Sequence, residues 1–392
     1  MNVFDREIER VERMCTPALL GRVVDVTGLT VSVEGLPAPV GAMCRIRRKG
    51  EQPAEAQVVG FRDDRAILMP LADLRGVSRG DEVVTMVSEA RVGVCEALAG
   101  RVIDGMGRVI DDGPAVYYDA YYPLYRPAPR ALERPRIREP LATGIRSMDT
   151  LLTAGRGQRL GLFAGTGVGK SVLMGMIARY TEADITVVAL IGERGREVNE
   201  FLEKDIGPQG RKKCVMVLST SDESPVLRVQ AAFTATAVAE YFRDRGKSVL
   251  LLMDSLTRTA QAQRQIGLAA GEPPATKGYT PSAFALLPQL LERAGQTQEG
   301  SITGFYTVLV EADDVNDPVG DAVRGVLDGH VWLSRTLANR AHYPAISVPD
   351  SISRVMTDVV DQQHASAART VLQALATWEQ IEDLVSIGAY AN

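Results

Sequence analysis

The segment Phe163-Ala164-Gly165-Thr166-Gly167-Val168-Gly169-Lys170-Ser171 constrains this chain more than any other. It follows the apolar run Leu160–Phe163 and opens into a predicted helix over Ser171–Thr181, with Val172 in its first turn. A strand, a glycine turn and a new helix together form the context of a phosphate-binding loop. Glycines at 165, 167 and 169 let backbone N–H groups curl around phosphate oxygens, Thr166 and Val168 included, and the helix adds its positive end. Lys170 supplies a point charge for β- and γ-phosphates, and the Ser171 hydroxyl can ligate Mg²⁺. The first position of the GxxxxGK[ST] pattern is Ala164 rather than glycine. The simpler alternative is a chance glycine turn.

Such a loop requires an α/β sheet, and the pattern around it supplies one. Predicted strands are Leu160–Phe163, Thr186–Ile191, Val215–Ser219, Ser248–Met253, Ile302–Glu311 and His330–Ser334. Predicted helices are Ser171–Thr181, Val198–Lys204, Pro225–Arg245 and Ser255–Ile266. Alternation of this kind gives a largely parallel sheet with helices on both faces.

With 392 residues, two or three domains are expected. The boundaries read as a helical segment over 1–16, a β-barrel over 17–90, the P-loop domain over 91–360 and a helical start over 361–392. In the first of these, Val3, Phe4, Ile8, Val11 and Met14 fit a short amphipathic helix. It lies on its own barrel or docks a partner. Runs at Gly21–Val26, Thr30–Glu34, Ala56–Phe61 and Ala66–Pro70, split by Gly, Pro and Asp-Asp breaks, suggest a small antiparallel barrel. Gly100–Asp111 has two apolar arms around Asp104-Gly105, a hairpin signal. Prolines across 114–140 predict an extended linker, whose Tyr117–Tyr125 run packs it down or forms a stacking platform. The net charge of -5 argues against nucleic-acid coating. No stretch approaches the roughly 18 apolar residues of a membrane span, and residues 1–14 lack the apolar core of a signal peptide. Cysteines 15, 44, 95 and 214 form no CxxC pair, and His330, His342 and His364 share no ligand spacing. Asp313, Asp314 and Asp317 read as a solvated turn.

Two carboxylates stand where the sheet would present them to the loop. Asp254 ends the run Val249–Met253, at the strand tips where such sheets bind ligands. There it can hold Mg²⁺, mostly through water. Glu193 follows the strand Thr186–Ile191 and can orient a water in line with the γ-phosphate. The plainer alternative for Glu193 is a surface pair with a neighbouring arginine.

Four blocks extend this reading: GERGREVNEF at 192–201, MDSLTRTAQAQRQIGLAAGEPPATKGYTPS at 253–282, GSITGFYTVLVEADDVNDP at 300–318 and DGHVWLSRTLANRAHYPAI at 328–346. They resemble the flagellar and type III secretion export ATPases and, more distantly, the catalytic subunits of rotary ATP synthases. The resemblance runs from about residue 20 to near the end. It implies a RecA-like P-loop domain between an N-terminal β-barrel and a short helical C-terminal domain. It also implies ATP and Mg²⁺ as ligands. By residue, it implies phosphate and metal roles for Lys170, Ser171 and Asp254, and a catalytic role for Glu193. Arg194 and Arg258 would lie near the γ-phosphate, Arg354 would be an arginine finger acting on the adjacent subunit's ATP, and Tyr343 would stack on adenine.

As partners it implies a homohexamer and a coiled-coil stalk protein in the central channel, approached by Gly271–Tyr279 and Ala294–Gly300. It further implies an export regulator, chaperones, secreted proteins and, indirectly, a membrane export gate, with no nucleic acid. The location implied is cytoplasmic, peripheral to the inner-membrane export apparatus. Family members continue several tens of residues past a point like Asn392, so the C-terminal domain is expected to be truncated. A monomer in dilute solution, with weak hydrolysis that rises with concentration, follows. Two competing readings remain. A non-catalytic ring subunit would lack the carboxylate that Glu193 provides. An RNA-binding ring helicase or terminator would carry stacking aromatics in its first domain, where only Phe4 and Phe61 occur.

Overall fold

The computed structural model describes residues 20–87, 90–310 and 317–389. The expected N-terminal helix, Cys15, Asp313 and Asp314 lie outside these residues. The chain divides into two compact units, Met1–Ala90 with Ile266–Glu272, and Arg91–Gln265 with Pro273–Asn392.

In the first unit six strands close a barrel: β1 (Leu20–Thr27), β2 (Thr30–Glu34), β3 (Met43–Ile46), β4 (Ala54–Arg62), β5 (Arg65–Pro70) and β6 (Glu82–Val87). Alternation drives it: Val31 and Val33 point inward with no exposure while their neighbours face out. Asp63 adopts φ 53° in the tight turn between β4 and β5, a conformation that Asp tolerates. The sequence reading missed β3, whose short pattern Arg45 interrupts, and β6.

The second unit begins with β7 (Arg91–Val94), β8 (Val102–Asp104) and β9 (Ala120–Pro123). The predicted hairpin exists in part: Ile103 bridges Val109, and the Gly107 N–H donates to Asp104 O at 2.9 Å. Its first arm also pairs in parallel with a distant strand, a long-range contact that no local pattern reveals. The proline-rich linker is not wholly irregular, since β9 pairs with β7. Tyr122 donates to Asp244 at 3.3 Å and packs edge-on against Tyr241, and Tyr125 packs on Phe233. Tyr117 stays exposed.

A two-residue pair, β10 (Pro140–Leu141) with β11 (Ala154–Gly155), leads to the main sheet. That sheet contains β12 (Arg159–Ala164), β13 (Ile185–Glu193), β14 (Cys214–Thr220), β15 (Ser248–Asp254), β16 (Gly295–Gln296), β17 (Ser301–Leu309), β18 (Gly329–Leu333) and β19 (Ile346–Ser353). The order is β19-β18-β12-β17-β15-β13-β14-β8, with β16 paired outside onto β17. All neighbours in that row are parallel except β18 and β19. β19 went unread because it carries Pro349 and three serines, residues an edge strand accommodates.

The helices of this unit include α1 (Lys170–Tyr180), α2 (Gly195–Glu200), α3 (Pro225–Arg243), α4 (Leu256–Ala270) and α5 (Gln362–Ser386). A π-helical turn over Phe201–Ile206 continues α2, so the predicted Val198–Lys204 helix begins earlier and changes pitch. Nearly every residue of α3 is buried, and a helix apolar on all sides belongs in an interior. The helix Pro281–Leu291 was missed because Pro288 interrupts its pattern.

At the end of α3, Glu240 and Arg293 form a pair with 0% and 1% side-chain exposure, bonded at 2.7 and 2.9 Å. Arg293 also donates to the Leu124 carbonyl, fastening the linker. Glu240→Ala strands a buried guanidinium, so unfolding free energy should fall by about 3–5 kcal/mol. A denaturant melt monitored by tryptophan fluorescence measures this, and a change under about 1 kcal/mol would contradict it.

Candidate active site

The main sheet presents its parallel strands with their carboxyl ends on one edge, and the site is built there. β12 ends at Ala164, and the chain turns through Gly165–Gly169 into α1. Gly167 and Gly169 adopt φ 78° and 88°, conformations that side chains rarely take, so the glycines at these two positions are conformational requirements. Ala164 is buried in the strand end at 1% exposure with ordinary extended backbone, which is why alanine serves there. Thr166 and Gly167 face solvent at the loop crest, and Val168 anchors it in the core. Ser171 and Val172 are exposed in the first turn of α1.

β15 delivers Asp254 and β13 delivers Glu193 to the same edge. Lys170 Nζ donates to Asp254 Oδ1 at 2.6 Å and lies 3.8 Å from Glu193 Oε1. Asp254 is 4% exposed. Its Oδ1 accepts a second bond, from the Thr307 hydroxyl at 2.6 Å, while Oδ2 accepts none among the described residues. A buried carboxylate bonded to Lys170 of the loop is of the chemical type that suits a hard oxygen-binding cation. No cluster of three or more metal-ligating side chains occurs among the described residues.

Burial pushes the Glu193 carboxyl up to about 7, helped by the Asp254 charge and by a hydrogen bond that its acid form donates to Glu197. Lys170 opposes this only in part. Glu197 is held below its usual range, first by that hydrogen bond. A carboxylate whose proton leaves near neutrality is matched to general-base work.

Two residues here were missed from sequence. Thr307 sits beside Asp254 because β15 and β17 run in parallel register, Met253 opposite Tyr306. Glu197 stands in the first turn of α2, four residues after the strand end at Glu193, a spacing visible in the sequence.

The remaining expected residues divide into three groups. The Tyr343 ring lies against Gly169: a Cβ there would meet its ring carbons at 3.5 Å. With 60% exposure, that ring offers a free face above the loop. Arg258 lays its methylene chain over Gly192, next to Glu193. The Arg194 side chain is 82% exposed and lies 3.9 Å from Glu197, so it flanks the cluster without entering it.

Arg354 is nowhere near. β19 runs against β18, Leu333 pairing with Ile346 at the loop end and Gly329 with Ser353 at the other. Arg354 therefore leaves the sheet where β12 begins, separated from its own phosphate loop by the length of Arg159–Ala164, about 16 Å.

Models of known families match three stretches. The ATP synthase alpha/beta family nucleotide-binding domain matches residues 144–353, and that family's beta-barrel domain matches 23–86. The T3SS EscN ATPase C-terminal domain matches 360–392. The chain belongs to the ATP synthase alpha/beta family. Within it, this ATPase groups with the flagellar and type III secretion members. It is 50% identical to the flagellum-specific ATP synthase of Bacillus subtilis over 94% of this chain and 85% of that protein. It is also 50% identical to the type 3 secretion system ATPase of Xanthomonas euvesicatoria, over 94% and 84%. A solved structure of the assembled ATPase EscN from the enteropathogenic E. coli type III secretion system superposes with a TM-score of 0.90. There the identity is 46%, covering 95% of this ATPase and 89% of that chain. EscN with its central stalk EscO superposes at 0.87, with 45% identity. The sequence expectation of an export ATPase with a P-loop domain between a barrel and C-terminal helices is met by these matches. ATP is the nucleotide it hydrolyses.

Proposed function

We propose that this ATPase works as a ring of identical subunits, six by family analogy, in which each ATP is held by one subunit and cleaved with help from the next. One observation carries the reading: Lys170 is tied to both Asp254 and Glu193, while Arg354 stands at the opposite end of the sheet. In the loaded state Lys170 leaves these carboxylates for the β- and γ-phosphates. Backbone N–H groups of 165–169 wrap the same phosphates. Ser171, and Asp254 through water, would hold Mg²⁺, which would supply neutralisation of phosphate charge. Glu193 accepts a proton from the attacking water as its oxygen bonds the γ-phosphorus and the bond to the ADP oxygen breaks. Arg258 lies beside the γ-phosphate and Arg194 at its rim. Tyr343 stacks on adenine.

The homohexamer, the central stalk in a channel approached by Gly271–Tyr279 and Ala294–Gly300, and the export regulator, chaperones, secreted cargo and membrane gate complete the proposal. EscN has been solved assembled and with its stalk EscO, which supports the first two. No described helix is long and apolar enough to cross a membrane. A cytoplasmic position, peripheral to the inner-membrane apparatus, is part of the same reading.

Sites completed between subunits make activity per subunit depend on concentration. Specific ATPase activity should rise steeply, by tenfold or more, from nanomolar to micromolar protein, in step with assembly seen by mass photometry. A flat specific activity across that series would contradict shared sites.

A further inference from the structure

An arginine that must reach into another subunit's site needs a rigid root, because its own chain offers the tip nothing to rest on. Arg354 is exposed and has no ion-pair partner among the described residues. Its root is different. The Arg354 N–H donates to the Asp328 carbonyl at 3.0 Å. That carbonyl also accepts from Gln158 Nε2 at 3.0 Å. The second Nε2 hydrogen goes to Ser353 Oγ at 3.1 Å, on the residue before Arg354. Gln158 Oε1 accepts from the Gly155 N–H at 2.9 Å, and the Ser353 hydroxyl donates to the Thr153 carbonyl at 2.8 Å. The Asp328 carboxylate is gripped at 3.0 Å by the Arg159 backbone N–H, Nε and Nη2.

Gln158 is completely buried, and every one of these bonds ends on the strand pair that carries Arg354 or on the β11 turn beneath it. The crossing is tight: a side chain on Gly329 would meet the Ile352 carbonyl at 2.4 Å. β19 is an edge strand, with a neighbour on one side only, and edge-strand ends open readily unless tied.

We propose that Gln158 is the positioning residue for Arg354, its buried amide fixing the end of β19 so that the guanidinium is presented to the adjacent subunit in one pose. This rests on the reading that Arg354 acts between subunits. A misplacement of about 1 Å at a catalytic group can cost on the order of 10²-fold, so a loosened root should be felt in turnover. A glutamine that merely satisfied buried polar groups would instead matter equally in whichever subunit carried the change.

Mixed assemblies separate the two. A Glu193→Gln chain has a dead site of its own but an intact Arg354. An Arg354→Ala chain has an intact site but no guanidinium to give. Each alone should be nearly inactive. Mixed equally, about a quarter of the interfaces join a live site to a live arginine, and activity returns. Adding Gln158→Leu to the Glu193→Gln chain, the arginine donor, should lower the recovered kcat at least about tenfold with the KM for ATP unchanged. Adding it to the Arg354→Ala chain should leave the recovered rate within about twofold. If Gln158→Leu melts early in the donor, Ser353→Ala in the same chain removes one of the two Nε2 bonds, and a loss of several-fold confined to the donor is expected. Equal loss from either chain, or no loss from the donor, overturns the role of Gln158 while leaving the shared site standing. No recovery in the unmodified mixture would overturn the shared site, and with it this proposal.

Discussion

Glu193→Gln should lower kcat by about 10²–10⁴-fold while ATP binds as before. Glutamine keeps the size of the side chain and can still hydrogen-bond Glu197, but it cannot accept a proton from water. The nucleotide contacts proposed above, the loop glycines and Lys170, are untouched. A phosphate-release assay beside a fluorescent-nucleotide titration distinguishes loss of chemistry from loss of binding. Retention of activity within a few-fold would remove Glu193 from the mechanism. The same residue sets an acid limit on the parent. Its carboxyl is pushed up to about 7 by burial and by Asp254, and only the ionised form serves as base. Below that pH the protonated form dominates, so kcat/KM should climb with pH through about 7 and level off above it. Glu193→Gln should lose that limb along with the rate. A limb near pH 4.5, the ordinary carboxyl value, would show that burial does not govern this group.

Much of this arrangement is legible from sequence because it is local. The glycine spacing before Lys170 encodes a turn, and an apolar run ending in Asp254 or leading to Glu193 encodes a strand with its carboxylate at the tip. What escapes is whatever depends on register between distant strands. Thr307 looks like any threonine in a β-branched strand until β17 is set beside β15 and its hydroxyl meets Asp254 at 2.6 Å. The first arm of the Gly100–Asp111 hairpin gives no sign that it pairs with β14. β19 was hidden for a related reason. Its proline and serines read as loop, and only antiparallel pairing with β18 makes it the strand that carries Arg354 to the far end of the sheet. Gln158 follows from that topology, since its partners are 170 and 195 positions away.

Arg354→Ala should lower kcat by about 10³–10⁵-fold, the scale of a guanidinium withdrawn from a phosphoryl-transfer transition state. Its effect on folding should be small, because the side chain is exposed and pairs with no described carboxylate, and surface substitutions of that kind usually change stability by under about 0.5 kcal/mol. The KM for ATP should also move little, because charge that develops only in the transition state lowers kcat and kcat/KM together when its partner is lost. Lys170→Ala provides the contrast, since in the proposed site the loop lysine meets phosphate in the ground state and its loss should weaken binding itself. Arg354→Lys should not restore the rate, because a single ammonium cannot match the planar fork that spans two phosphate oxygens. The test is sharpest at saturating protein, where assembly is complete. A residue about 16 Å along the strand from its own phosphate loop has no route to that loop within one subunit. A collapse of kcat with intact folding, intact ATP binding and intact assembly therefore requires a second subunit at the site. If Arg354→Ala turned over at the parental rate in that assembly, each subunit would be catalytically complete alone, and the concentration dependence would need another cause.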